Sequence, residues 1–119
     1  MNDINQERLC TLIEKFAKER NWDQFHSIKN LTMALNVEAS ELLEVFQWMT
    51  EDESNTVVFD KKLKEKVEEE LSDIFIYMLR IIQKSNIDIE SAVLHKLERN
   101  ATKYPVELSR GNAKKYTDL

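Results

Sequence analysis

"NLTMALNVEASELLEVFQWM", residues 30–49, places apolar side chains at helical spacing along nearly its whole length. A rotation of about 100° per residue puts Leu31, Ala34, Leu35, Leu42, Val45 and Met49 on one stripe, with Glu38 near its centre. Glu41 follows one turn later, about 60° round from Glu38, and residues three apart on a helix are neighbours. An ionised carboxylate is costly to bury, and a like charge beside it adds to that cost. A partner Arg or Lys from another helix is one remedy, and a bound cation is the other.

The rest of the chain agrees with a helical reading. One Gly and one Pro in 119 residues leave few of the residues on which sheet turns depend. With 42% apolar and 33% charged residues, the composition is that of one globular domain. Four helices are expected: about Ile4–Glu19, Asn30 (as its cap) to Thr50, Phe59–Lys84, and Ile89–Tyr104, the last capped by Asp88 and stopped by Pro105. "EDESNT" reads as a loop, and residues 105–119 as an extended tail beyond an all-α four-helix domain spanning residues 1–104. The net charge of -5 gives no support to a nucleic-acid backbone binder, and no nucleic-acid polymer is expected as partner. The single cysteine, Cys10, excludes an internal disulfide and suits a reducing, cytoplasmic compartment. "MNDINQERLCTLIEKF" has no secretory pattern, and the longest apolar run, "IFIYML", is too short to span a bilayer, so no membrane partner is expected.

The third helix carries a second acidic pair. In "EEELSDIFIYMLRII", residues 68–82, Leu71, Phe75, Met78, Leu79 and Ile82 form the expected apolar stripe, and Glu70 and Asp73 sit three apart on its flank with Tyr77 one turn beyond. Glu69 with Asp73 is the competing register, and Glu68 and Glu69 suit a solvated face. Two helices joined by a short link are antiparallel neighbours, so four carboxylates can converge in one cleft. All-oxygen ligation suits a hard ion such as Mg²⁺, with Mn²⁺ as the variant. A di-iron bundle would need Glu-x-x-His pairs, and neither His26 nor His95 has a Glu three residues before it.

These residues resemble the MazG-like nucleoside triphosphate pyrophosphohydrolases, and in particular their dCTP pyrophosphatase branch. The resemblance is carried by Glu38/Glu41 and Glu70/Asp73, by Trp22, His26 and Lys29-Asn30-Leu31, by Phe46-Gln47-Trp48, and by "LERNATKYPVELSRGNAKKYTDL" at residues 97–119. It covers about residues 7–119, and departs at Ile28, where many relatives have proline. The resemblance implies hydrolysis of a nucleoside triphosphate to a monophosphate and diphosphate, dCTP or a related or modified deoxynucleotide being the expected substrate. It implies that Glu38, Glu41, Glu70 and Asp73 bind Mg²⁺; one of the four, taken here as Glu41, is expected also to orient or deprotonate the water. Trp22, His26, Lys29, Asn30, Trp48, Tyr77, Asn100, Lys103 and Tyr104 are the implied substrate contacts. For Trp22 and Trp48 core packing is the plain alternative, for His26 a hydrogen-bonding loop residue, for Tyr77 an ordinary half-buried helix tyrosine, and for Lys103 a helix-dipole role.

Apolar residues beyond one stripe (Val37, Leu43, Ile76) call for burial against further protomers, and the resemblance implies a homotetramer built from dimers. Two other readings stand beside the first: the same chemistry on another base, such as dUTP or an oxidised nucleotide, and a non-catalytic oligomeric bundle that binds a divalent ion. Four converging carboxylates separate the enzymes from the bundle, which gains nothing from them.

Overall fold

The computed structural model describes residues 2–119. Its helices are α1 (Gln6–Glu19), α2 (Ile28–Phe46), α3 (Glu51–Ser54), α4 (Lys61–Ser85), α5 (Ile89–Lys103) and α6 (Val106–Ser109). Short 3₁₀ turns occupy Asp23–Phe25, Asn55–Val58 and Tyr116–Asp118, and there is no strand among the described residues. No helix is long and apolar enough to cross a membrane among those residues. The all-α reading therefore holds. The four long helices lie where expected, with two one-turn helices added.

Each departure has a local cause. Ser27, not Asn30, caps α2: its extended backbone lets Oγ accept the Asn30 N–H at 3.1 Å, so the helix begins at Ile28. α2 ends at Phe46 rather than Thr50 because Thr50 is committed to the next helix. Thr50 accepts the Glu53 N–H while the Glu53 carboxylate reaches back to the Thr50 N–H, a capping box that turns "EDES" from loop into α3. Pro105 stops α5 as expected, but it also precedes α6, where its missing N–H costs nothing. α4 closes at Asn86, whose left-handed conformation (φ 53°) donates its N–H back to Gln83 and Ile82 carbonyls.

The chain divides into two compact units, one up to Asn86 and one from Ile87. In the first unit, α2 packs chiefly on α4, and α1 on α4. The α2 row Leu31, Leu35, Glu38, Leu42, Val45 and Met49 advances by alternating steps of four and three, and every member is buried or half-buried. On α4 the corresponding row is Leu63, Val67, Glu70, Ile74, Tyr77 and Ile81, with the same steps. Such a repeat keeps one seam of a helix facing its neighbour. This corrects part of the stripe expected on α4: Leu79 and Ile82 are buried and Phe75 is half-buried, but Leu71 and Met78 lie exposed, because from Leu71 onward α4 carries apolar residues on more than one side and hydropathy alone does not choose the face. Met49 and Leu63 line one 410 Å³ groove, Glu38 and Glu41 approach Glu70, and the residues just before α2 meet Arg80. Those three pairings, taken in order, make α2 and α4 antiparallel.

In the second unit, Tyr104 stands edge-on to Tyr116 at 6.0 Å, and Lys103 Nζ lies 4.7 Å from the Tyr116 ring centre. The segment expected to be an extended tail is thus folded back onto the end of α5 through ring and cation contacts.

Candidate active site

Glu38 and Glu70 are the polar members of the two facing rows, so α2–α4 packing itself carries their carboxyl groups into one seam. Glu41, on the flank of α2, joins them. Each of the three offers an oxygen, and these oxygens lie within 4.8 Å of one another. Glu38 Oε2 and Glu70 Oε2 are buried and have no hydrogen-bond partner among the described residues, while Glu41 is exposed. Buried polar atoms are almost always satisfied, so two orphaned carboxylate oxygens in one seam point to a missing partner.

The electrostatics agree. Burial, contact with the Glu41 carboxyl group and the charges of Glu41, Asp73 and Glu70 together push Glu38 from 4.5 to about 7. Burial first, and then Glu41, Asp73 and Glu69, raise Glu70 as well. Among the described residues no lysine or arginine forms an ion pair with the cluster, in contrast to Asp23, which pairs with Arg80. An all-carboxylate donor set with unshared lone pairs fits a hard divalent ion. Asp73 is half-buried one turn beyond Glu70; it acts on Glu38 and Glu70 through its charge but is not one of the three whose oxygens converge. Tyr77, half-buried, is held above its usual range by burial and then by Glu38 and Asp73.

The aromatic residues lie at two places. Trp48 follows α2 and is 90% exposed, so core packing does not account for it. Trp22 is 43% exposed and meets the Phe16 ring edge-on at 5.7 Å, and the Arg20 guanidinium lies 3.6 Å over the centre of the Phe16 ring. Lys29 is exposed in the first turn of α2 and takes part in no ion pair among the described residues. The Asn30 side chain donates to the Phe25 carbonyl at 3.1 Å, bracing the turn before α2. His26 is half-buried, and its Nδ1 accepts from Arg80 Nε at 3.5 Å. Burial and then the Arg80 charge hold its imidazole below the usual histidine range. Asn100, Lys103 and Tyr104 belong to the second unit, where the Asn100 carbonyl accepts the Tyr104 N–H at 2.8 Å.

Sequence reasoning missed Arg80. It is 4% exposed, pairs with Asp23, and donates from Nη1 to Gln83 Oε1 at 3.0 Å. Gln83 in turn donates to Glu14 at 3.1 Å. The available signal was an arginine inside the apolar run "YMLRII", since charge in such a run demands a partner.

The MazG-like family model matches residues 33–119, most of the chain and all of the acidic seam. The chain belongs to the MazG-like family. Curated relatives of this MazG-like chain include proteins called dCTP pyrophosphatase 1 from Bos taurus, 43% identical over 95% of this chain and 67% of the relative, and from Homo sapiens, 39% identical over 95% and 66%. The Mus musculus protein of the same name is 42% identical over 95% of this chain and 66% of its own length. The chain therefore spans about two thirds of the length of these relatives. Among solved structures, a pyrophosphatase from Archaeoglobus fulgidus matches the MazG-like fold with a TM-score of 0.78 at 36% identity, covering 88% of this chain and 96% of that one.

Proposed function

We infer that the protein is a nucleoside triphosphate pyrophosphohydrolase that converts a triphosphate and water to a monophosphate and diphosphate, dCTP or a related or modified deoxynucleotide being the substrate. The observation that carries this reading is the convergence of Glu38, Glu41 and Glu70 with two orphaned buried oxygens. The names of the dCTP pyrophosphatase relatives support the substrate class.

Glu38, Glu41, Glu70 and Asp73 would hold Mg²⁺, or Mn²⁺ in its place, and the bound ion would neutralise phosphate charge and acidify the attacking water. Glu41 is the exposed member of the converging three and so the one an incoming water meets. It takes the water's proton as the oxygen attacks the α-phosphorus, and the bond to the α–β bridging oxygen breaks. Trp48 and Trp22 provide aromatic faces for the base, because every base has a stackable ring. Lys29, Tyr77 and the half-buried His26, together with Asn30, which braces the same turn, orient sugar and phosphate.

A homotetramer built from dimers is the proposed assembly. Leu9 and Leu12 on α1 and Leu71, Ile76 and Met78 on α4 leave a broad apolar surface uncovered in one protomer, which a monomer in water would not keep. The single cysteine suits a cytoplasmic location.

The test is diphosphate release from a panel of canonical and modified triphosphates with Mg²⁺, with and without chelator. Release concentrated on dCTP and abolished by chelation supports the proposal. Release concentrated on another base keeps the reaction and overturns the substrate. No release from any triphosphate by the folded protein overturns the enzyme itself.

A further inference from the structure

The segment that links α1 to α2 is short, holds only the single 3₁₀ turn Asp23–Phe25 and is exposed at its tip, yet it is tied down at almost every residue. Asn21 adopts a left-handed backbone (φ 54°), its N–H donating to Lys18 and its carbonyl accepting from the Gln24 side chain at 3.0 Å. The Trp22 N–H donates to the Ala17 carbonyl at 2.9 Å, and Asn30 holds the Phe25 carbonyl. From below, one buried side chain reaches the segment: Arg80, on α4, engages Asp23 with Nη2 and His26 with Nε. Its remaining arm goes to Gln83, which is itself held by Glu14 of α1. The guanidinium thus ties α1, α4 and the linking segment at a single point.

A buried Arg–Asp pair is weak evidence for stability, because desolvation offsets much of the attraction. It is better evidence for geometry, since a planar guanidinium holds its partners in fixed directions. The direction matters at His26. Arg80 Nε always carries its proton, so across this 3.5 Å contact Nδ1 of His26 is the acceptor, which assigns the proton of the neutral ring to Nε2. Nε2 has no hydrogen-bond partner among the described residues.

We propose that Arg80 is a positioning residue: with Asp23 it locks the Trp22–His26 segment and fixes His26 as the Nε2–H tautomer, presenting a single N–H donor to an acceptor oxygen of the nucleotide. That last clause rests on the function proposed above, and the tautomer itself does not. The groups around His26 are all accounted for: Asp23 on its own segment, and Arg80 and Lys84 on α4, with Glu14 of α1 one hydrogen bond further away. Burial and the two cations disfavour a second proton, so the ring stays neutral at pH 7.

The chain has two histidines, which makes the test direct. Long-range ¹H–¹⁵N spectra of histidine-labelled protein, assigned with a His95→Gln variant, report which ring nitrogen of His26 is protonated. The expected result is a protonated Nε2 and a bare Nδ1 at pH 7 in the wild type. In Arg80→Lys, which keeps the charge but lacks the donating Nε–H, mixed tautomers are expected. Nucleotide kinetics on the same variant should show KM raised about three- to tenfold, the worth of one oriented hydrogen bond, with kcat nearly unchanged. Asp23→Asn keeps the Arg80–His26 bond, so it should retain the tautomer while loosening the segment. A wild-type ring protonated at Nδ1, or an Arg80→Lys spectrum identical to wild type, overturns the proposal. A correct tautomer in a protein that hydrolyses no triphosphate overturns the proposed function and leaves the lock standing.

Discussion

Replacing Glu38 by Gln should stabilise the metal-free protein while destroying its metal site. In the folded chain Glu38 titrates at about 7 rather than 4.5. Its folded-state value lies above its unfolded value, so between those limits the native state binds the extra proton. Stability is therefore full below about pH 4.5 and falls as pH rises through about 7. At about 1.4 kcal/mol per pH unit the full penalty would be about 3 kcal/mol, and solvent screening at a half-buried site reduces it to about 1–2 kcal/mol. Gln keeps the size of the side chain and never ionises, so it escapes this loss. Urea unfolding in chelator, at fixed protomer concentration, should show Glu38→Gln more stable than wild type by that amount at pH 8 and by little at pH 5. Saturating Mg²⁺ should reverse the order, since a ligand at a hundred times its Kd adds about 2.7 kcal/mol to the wild type alone. A variant no more stable than wild type at pH 8, or equally favoured at both pH values, would refute the claim that the carboxylates repel one another across the seam.

Three further outcomes follow from the same structure. Because a proton and a cation compete for Glu38, the apparent Mg²⁺ affinity should weaken up to about tenfold between pH 7 and 6, with proton release on binding near pH 7, measurable by calorimetry in two buffers. Trp48→Ala should shift unfolding by no more than about 0.5 kcal/mol, since the ring is 90% exposed, yet raise KM about 5- to 100-fold if the ring stacks on a base. Leu31→Ala should cost about 2–5 kcal/mol in urea unfolding, because Leu31 is 1% exposed at the start of the α2 row.

The α2 row was legible from spacing alone because only one side of that helix is continuously apolar, and every residue of it is buried or half-buried. α4 was harder. Leu71, Phe75 and Met78 read as a stripe, but the face toward α2 runs through Leu63, Val67 and Ile74, and only the partner helix decides between two apolar sides. The approach of Glu41 to Glu70 was readable because the two acidic pairs lie on consecutive long helices, which pack antiparallel although α3 and a 3₁₀ turn intervene. What stayed hidden depends on contacts between residues far apart in sequence, or on side chains competing for a cap. Arg80 finds Asp23 and His26 across 57 and 54 residues, and nothing local in "YMLRII" names those partners. Ser27 and Asn30 are both good caps, and backbone conformation at Ser27 settles which one acts.

The most direct test of the account is ³¹P NMR of dCTP incubated with the protein and Mg²⁺, run beside Glu41→Gln. The expected products are dCMP and diphosphate in the wild type, with the rate reduced about 10²–10³-fold or more in a folded Glu41→Gln. Formation of dCDP and inorganic phosphate, or an undiminished rate in Glu41→Gln, would contradict it.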